Sequence, residues 1–321
     1  MRGFLFFGAL CAVSVPTFAG DVNPDKIEKL DSVIVSASRA GENTPVTFTN
    51  LNKEELRKVN PMNSLVQALS LQPSVVTSLE GGTGLGYSKM TVRGVKGSQI
   101  NVTLNGITLN DAESQEVFWV NIPALTSLIN SVQLQRGLGT SSNGPGAFGA
   151  SINMSTASVG TSPFGYVNVA AGSYNTMTMT ASAGTGLTKS GLYFSAAYSK
   201  DCTDGYIRNA KAKVQSAFAA LGWLNGNNSL KLTYLMGDQH SGITWNGIDP
   251  QMYKTNRKYN STGEFYDADG AVHYYDNDTD NYTQHHIQLN YTHEFANSLT
   301  WSTTFNYTRG DGYYENYKAG K

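Results

Sequence analysis

The sequence is poor in charge, in cysteine and in long apolar segments, and each shortage excludes a class of protein. Charged residues make up 15% of the 321 residues and the formal net charge is −1, so no broad basic field indicates a nucleic-acid partner. Cys11 lies in an apolar N-terminal run, and without that run Cys202 has no partner for an internal disulfide. No later stretch reaches 18 consecutive apolar residues, which excludes a transmembrane helix there.

The N-terminus has the features of an export signal. Arg2 supplies a positive charge, residues 4–15 are apolar, and small residues precede a predicted cleavage before Gly20. The alternative is a buried hydrophobic strand, but charge, position and cleavage site all favour a signal peptide over residues 1–19. Any membrane crossing by the exported chain must then use β-strands.

The composition of the chain changes twice after this signal. Residues 20–45 are mostly polar, with a β-prone island at residues 33–35, and they predict an extended tether. Residues 46–160 mix helix and strand signals and predict a compact α+β domain. Within it we expect one helix from Asn63 to Leu71 and another from Ile122 to Leu128, the second with a proline in its first turn.

After residue 160 apolar and polar residues alternate with period two. The alternation predicts seven antiparallel strands of about ten residues, which is the length of a membrane-crossing β-strand. Short connections alternate with long ones, at residues 200–213 and 238–282, as in outer-membrane barrels. A soluble β-sandwich also alternates and stays open as an alternative, although its strands are usually shorter.

Three close glycines raise the question of nucleotide binding. Gly144, Gly146 and Gly149 have the spacing of a dinucleotide-binding loop, which needs a helix directly after it. Here Pro145 lies inside the motif, and residues 151–155 favour a strand. We therefore interpret the stretch as a tight turn in which glycine permits positive φ and close backbone approach.

Six segments follow one another in a characteristic order: DSVIVSASR (31–39), SLVQALSLQPSVV (64–76), MTVRGV (90–95), VTLNGITLND (102–111), LINSVQLQRG (128–137) and GPGAFGASINMST (144–156). This order resembles the plug domain and first barrel strands of TonB-dependent outer-membrane receptors. The resemblance covers roughly residues 31–310. It assigns structural plug positions to Arg93, Gly94, Asn105, Gly106, Arg136, Gly137, Gly146 and Gly149.

The sequence also departs from the family pattern. Asn130, Ser131 and Gln133 stand where the family usually has charges, and Asn105 stands where it usually has aspartate. With those charges absent, Arg93 and Arg136 become the main charged candidates for contacts between plug and barrel.

The resemblance implies energy coupling through a short β-prone segment. The TonB box corresponds to Asp31, Ser32, Val33, Ile34, Val35 and Ser36. A free strand of this kind can join the sheet edge of the TonB energy-coupling protein by main-chain hydrogen bonds. A disordered leader with incidental valines is the alternative for the residues taken alone.

Candidate ligand residues lie on the loops expected to face outward. They are Glu80, Tyr87, Trp119, Trp245 and Tyr253. Aromatic and polar groups together suit a bulky, polar-rimmed ligand such as a ferric siderophore, although Tyr and Trp also form the interface belts of any barrel. We expect no cofactor, no metal site and no enzymatic activity.

The expected architecture is a mixed α+β plug followed by antiparallel transmembrane β-barrel strands that form an incomplete barrel. The expected segments are a signal peptide (1–19), a flexible segment with the TonB box (20–45), the plug (46–160) and the N-terminal part of the barrel (161–321). Seven strands cannot close the wide barrel that a plug fills, so we interpret the chain as part of a longer receptor.

The expected function is active uptake of a scarce nutrient across the outer membrane, in contact with its lipid. A ferric siderophore or another iron complex is the favoured ligand. The alternatives are a passive or adhesive outer-membrane barrel and a soluble exported β-protein that binds glycans.

Overall fold

The computed structural model describes residues 39–41, 44–59, 64–138, 146–156, 160, 162–296 and 299–318. The predicted signal peptide, the predicted TonB box at residues 31–36 and the predicted helix start at Asn63 lie outside the described residues. The described chain forms an N-terminal mixed α+β domain, which precedes residue 160, and a large antiparallel sheet that follows it.

A five-stranded sheet in the order β1-β6-β7-β4-β5 organises the N-terminal domain, and β2 and β3 form a separate ribbon. Strands β4 and β7 run parallel, whereas the other neighbours are antiparallel. The strands are β1 (Thr47–Asn52), β2 (Val75–Leu79), β3 (Ser88–Val92), β4 (Ile100–Leu104), β5 (Ile107–Thr108), β6 (Ile129–Arg136) and β7 (Ala150–Thr156).

Three short helices pack beside this sheet: α1 (Lys53–Val59), α2 (Leu65–Leu69) and α3 (Leu125–Leu128). The sequence analysis missed α1, which begins with a reciprocal cap. The Asn52 side chain accepts from the Glu55 amide (2.9 Å), and the Glu55 carboxylate accepts from the Asn52 amide (2.8 Å). No helix in the described ranges is both long and apolar enough to cross a membrane.

Both predicted helices are shorter than expected. Helix α2 begins after Ser64, whose side chain accepts from the Gln67 amide, and it ends before the predicted Leu71. The predicted helix over residues 122–128 begins only at Leu125, because Ala124 adopts a left-handed conformation with φ of 55°. Pro123 therefore lies outside α3 rather than in its first turn.

The two faces of the five-stranded sheet differ in chemistry. One face carries apolar side chains that join the helices in the main hydrophobic core, and each fully buried aliphatic side chain stabilises the fold by about 1.5–3 kcal/mol. These residues are Val102, Leu104, Val132, Leu134, Ile152 and Met154. The opposite face is also buried but carries uncharged polar side chains: Asn101, Thr103, Gln133, Gln135, Ser151 and Asn153.

Seven antiparallel strands form the second sheet, as the alternation predicted. They are β8 (Phe164–Gly172), β9 (Thr176–Gly184), β10 (Leu192–Thr203), β11 (Ala212–Asn225), β12 (Asn228–Gly242), β15 (Thr279–Ala296) and β16 (Leu299–Glu315). Each pairs with its neighbour in chain order, and among the described residues β8 and β16 do not pair, so the barrel is not closed. The first two strands have nine residues, and the last two have 18 and 17, longer than expected.

The apolar face of this sheet points away from the N-terminal domain. On β9, Met177 and Met179 are 52% and 53% exposed, whereas the alternate Thr178 and Thr180 are 0% and 1% exposed. A soluble sandwich would bury the methionines, whereas strands of a membrane barrel present apolar side chains outward. The burial pattern therefore contradicts the sandwich alternative.

Two long connections lie at the same end of the sheet, which we call the long-loop end. They span residues 204–211 and 243–278, shorter than the predicted 200–213 and 238–282 because the flanking strands extend further. The second contains α4 (Pro250–Thr255), β13 (Glu264–Tyr266) and β14 (Val272–Tyr274). The two loops contact each other, since Arg208 donates to the backbone carbonyls of Asn260 and Thr262.

Candidate functional site

A cleft of about 1070 Å³ opens at the long-loop end, between loops of the N-terminal domain and the strands of the second sheet. Its volume is at the upper limit of typical small-molecule sites. Both parts of the chain line it: Tyr87, Ser88, Lys89, Leu109, Asp111, Glu113, Ser114, Glu116, Val117, Phe118, Trp119, Val120, Asn121, Ile122, Trp245, Asp280, Tyr282, Gln284 and Tyr314.

Aromatic rings form one wall of this cleft. The Tyr87 ring meets the Trp245 ring edge to face with centroids 5.0 Å apart, and Trp245 meets Tyr314 in the same way at 6.2 Å. The Tyr87 hydroxyl donates to the Asp280 carboxylate, which also accepts from Gln239 Nε2 at 2.8 Å. Burial and this carboxylate raise the pKa of Tyr87, so its hydroxyl stays protonated and able to donate.

The rim of the cleft is mostly acidic. Asp111, Glu113 and Glu116 come from one loop, and Lys89 provides a cation. Asp111 Oδ1 accepts from the amides of Ser114 (2.8 Å) and Glu113 (3.0 Å), and the Ser114 bond is the main reason why the pKa of Asp111 lies below its usual value. Among the described residues, no three His, Cys, Asp or Glu side chains are grouped to hold a metal ion.

Asn105 connects the N-terminal domain to the large sheet. It lies in a tight turn with Gly106, where φ is 52° and 81°. Its Nδ2 donates to Gln288 Oε1 (3.0 Å) on β15, and its Oδ1 accepts from the Thr156 amide (2.9 Å). An aspartate at this position would lack the N–H group that reaches Gln288.

A second contact forms where the chain enters α3. Ser216 Oγ on β11 donates to the Pro123 carbonyl at 2.5 Å. On β12, a Cβ added to Gly237 would lie 2.3 Å from the Asn121 carbonyl oxygen, so only glycine permits this approach. Phe218 and Leu235 of the large sheet belong to the same hydrophobic core as the N-terminal domain.

Residues 40–151 match the family model described as TonB-dependent Receptor Plug Domain. The chain contains the plug domain of a TonB-dependent receptor. The strands that follow resemble the barrel strands of the same receptors, and TonB-dependent receptors are transporters, not enzymes.

Solved structures agree on the fold. The siderophore receptor PiuA from Acinetobacter baumannii has a TM-score of 0.64 at 20% identity, over 86% of this chain and 38% of that chain. The ferric-catecholate import receptor Fiu from E. coli K12, in its closed form, has a TM-score of 0.66 at 20% identity, also over 86% and 38%. The copper transporter OprC has a TM-score of 0.61 at 16% identity, over 83% of this chain and 37% of that chain.

The chain therefore spans less than two fifths of the length of these three structures. At these identities the likeness concerns the fold alone. No curated protein matches the chain in sequence.

The structure brings together three of the five predicted ligand residues. Tyr87 and Trp119 of the plug domain and Trp245 of the long loop all line the cleft. Glu80 lies outside the lining and pairs with Lys89 Nζ at 2.7 Å. Tyr253 lies on α4, 53% exposed and outside the lining.

Sequence analysis missed Tyr314, which completes the aromatic wall, and Asp280, which accepts from the Tyr87 hydroxyl. Strand β15 begins at Thr279 and places the Asp280 carboxylate against Tyr87. The signal in the sequence was weak, because Tyr87 and Asp280 are 193 positions apart in the chain.

The predicted plug arginines make their contacts within the plug domain. Arg93 and Gly94 form a turn with φ of 52° and 80°, and the Arg93 amide donates to the Ser74 carbonyl. Arg136 is buried, and its Nε donates to the Pro73 carbonyl at 2.8 Å. Burial and the nearby Arg93 lower the pKa of Arg136. A contact of either arginine with the barrel stays a prediction.

The predicted glycine turn is confirmed in its described part. Gly137 and Gly146 have φ of 100° and 89°, and a Cβ on Gly149 would lie 2.0 Å from Val95 Cγ2. Strand β7 follows directly, where a dinucleotide site would need a helix. Gly144 lies outside the described residues.

Proposed function

We propose that this protein is an exported outer-membrane transporter for active uptake of a scarce nutrient, with TonB supplying the work. In this proposal residues 1–19 direct export, the apolar face of the large sheet contacts outer-membrane lipid, and the plug domain occupies the interior of the barrel. The favoured ligand is a ferric siderophore or another iron complex.

The observation that carries the proposal is the position of the cleft. It lies at the long-loop end, and its wall is shared by the plug residues Tyr87 and Trp119 and by Trp245 beyond them. A ligand bound there would touch the plug domain and the barrel strands together. Binding could therefore change the contact between them, which a transporter with a movable plug requires.

The chemistry of the cleft supports a bulky ligand with both aromatic and polar surface. Tyr87, Trp245 and Tyr314 offer ring faces and edges, and the rim offers carboxylates and one lysine. Two of the three structures compared above are named as siderophore or ferric-catecholate receptors, and the third as a copper transporter. A metal complex is consistent with all three, and iron is favoured by the first two.

Energy coupling is the part of the proposal that separates it from a passive barrel. We assign it to residues 31–36, a β-prone stretch on a polar tether that can add a strand to the sheet edge of TonB.

Deletion of residues 31–36 tests the coupling. The expected result is loss of growth on ferric siderophores as the sole iron source, while binding of the same ferric siderophores to cells is retained. Deletion of residues 21–26, which has the same length within the same tether, serves as the control and should leave both unchanged. Undiminished growth of the 31–36 deletion would show a passive or adhesive barrel instead.

A further inference from the structure

Residues 39–41 do not leave the plug domain freely but lie against the polar face of its sheet. Ala40 is 5% exposed. Its amide donates to Gln133 Oε1 at 2.7 Å, and its carbonyl accepts from Gln133 Nε2 at 2.9 Å. One side chain thus satisfies both backbone groups of one residue, as a neighbouring strand would do.

Both N–H groups and the oxygen of the Gln133 side-chain amide form hydrogen bonds. Its second N–H donates to Asn50 Oδ1 (2.8 Å), and its oxygen also accepts from Gln135 Nε2 (2.8 Å). The side chain is 2% exposed, so these partners replace water completely. A carboxylate of the same shape would lack both N–H groups, which gives a physical reason for glutamine where the family pattern usually has a charge.

Arg39 strengthens the same attachment. Its Nη2 donates to the backbone carbonyls of Asn153 (3.0 Å) and Ser131 (3.3 Å). These carbonyls belong to β7 and β6, the third and second strands of the sheet, not to the edge strand β1.

The order in which the chain contacts the plug sheet determines which strands bear a force applied to the N-terminal tether. From the N-terminus, the chain first meets β6 and β7 through residues 39 and 40, and only afterwards enters β1 at Thr47. Gln133 also pairs in register with Asn50 of β1, so residues 39–41 lie beside a strand that comes later in the chain.

We propose that Gln133 is a positioning residue that clamps the exit of the N-terminal tether to the plug domain. This proposal rests on the TonB coupling proposed above. With the clamp closed, tension on residues 31–36 reaches the interior of the plug sheet at Gln133. With the clamp open, residues 40–46 join the free tether and add roughly 20–25 Å of reach before β1 is loaded.

Two variants open the clamp from opposite sides. Gln133→Met keeps the length and packing of the side chain and removes all four hydrogen bonds. Ala40→Pro removes the amide that donates to Gln133 and leaves the sheet intact. Thr103→Val is the matched control, because it deletes a buried hydrogen bond to Asn153 (2.8 Å) on the same face without touching residues 39–41.

Hydrogen exchange of the intact receptor is the first measurement. Both clamp variants should speed exchange in peptides covering residues 39–46 by roughly tenfold or more, the effect of losing about two hydrogen bonds. Peptides covering β1 should keep their protection, and Thr103→Val should match the wild type. Unchanged exchange over residues 39–46, or an equal rise over residues 47–52, would overturn the clamp.

Affinity for purified TonB is the second measurement, because a merely structural role for Gln133 would not change it. Without ligand, both clamp variants should bind TonB roughly tenfold more tightly than the wild type, because residues 31–36 then extend further from the plug domain and a larger fraction of them can reach TonB. An affinity equal to that of Thr103→Val would overturn the role of Gln133 in presenting the tether.

A receptor lacking residues 31–36 separates this inference from the proposed function. If that deletion leaves TonB binding unchanged, the coupling proposal is wrong, whereas the exchange result still decides whether the clamp exists.

Discussion

At the residue scale, two uncharged amide side chains make buried contacts, one between the plug domain and the large sheet and one within the plug domain. Asn105 bonds to Gln288 on the large sheet, and Gln133 bonds to the backbone of Ala40. Asn105 stands where the family pattern usually has aspartate, and Gln133 stands where it usually has a charge. A neutral amide can donate and accept at once, and its burial costs much less than burial of an unpaired charge.

Gly149 lies in a packed turn that leaves no room for a side chain. Gly149→Ala should destabilise the plug domain by about 1–3 kcal/mol, because the new methyl group would overlap with Val95 in a packed site. Gly165→Ala on β8 is the control, since a Cβ there meets nothing within 4 Å. Exchange protection of β7 in the intact receptor measures the difference, and equal protection in both variants would contradict the contact.

Lys53 should make the stability of the plug domain depend on pH. Burial, and to a smaller extent Arg57, lower the pKa of Lys53 from 10.5 to about 8. Between these values the unfolded chain binds more protons than the folded one, so the stability of the plug domain should rise with pH from about 8 to 10.5. Lys53→Met should abolish that rise. A stability that falls over this range would show that the Lys53 ammonium is favourably solvated.

At the element scale, the period-two alternation of apolar and polar residues predicted the strands better than single capping or turn residues predicted the helices. Seven strands followed from period-two alternation because each strand repeats the signal several times. Their lengths were underestimated, since β15 and β16 extend beyond the apolar part into polar residues. Helix α1 was missed although Asn52 and Glu55 provide a cap, because seven residues give too few apolar repeats to mark a helix.

That cap is expected to stabilise helix α1 measurably. Asn52→Ala should cost about 1 kcal/mol, because the Glu55 amide loses its acceptor. Lys58→Ala, at an exposed position in the same helix, should have little effect. Hydrogen exchange over residues 53–59 makes the comparison, and identical protection in both variants would argue against the cap.

Part of the candidate cleft could be predicted from residue type and loop position, but not how its residues come together. Tyr87, Trp119 and Trp245 were each proposed from residue type and loop position, and the structure brings them to one cleft. Asp280 and Tyr314 were not, because their place depends on the register of β12, β15 and β16. Strand register and domain packing are long-range properties, and local alternation does not determine them.

At the scale of the whole molecule, the two faces of the large sheet differ in chemistry. The face of the large sheet that contacts the plug domain is mostly polar, although Phe218 and Leu235 join the core there, and the opposite face is apolar. The first face supplies Ser216 and Gln288 as partners of the plug domain, and the second exposes Met177 and Met179. The proposed TonB-driven transporter would need both faces, because the same strands would meet lipid outside and a polar, movable domain inside.

Spin labels on adjacent residues of β9 test this arrangement most directly. The background receptor carries Cys202→Ser. Met179→Cys and Thr180→Cys are introduced into it one at a time, and each cysteine is spin-labelled. In reconstituted bilayers, the collision rates of each label with oxygen and with a water-soluble nickel reagent are compared. The account predicts that the label at residue 179 contacts lipid, with high oxygen and low nickel accessibility, whereas the label at residue 180 is shielded from both. The reverse pattern, or water exposure at residue 179, would contradict it.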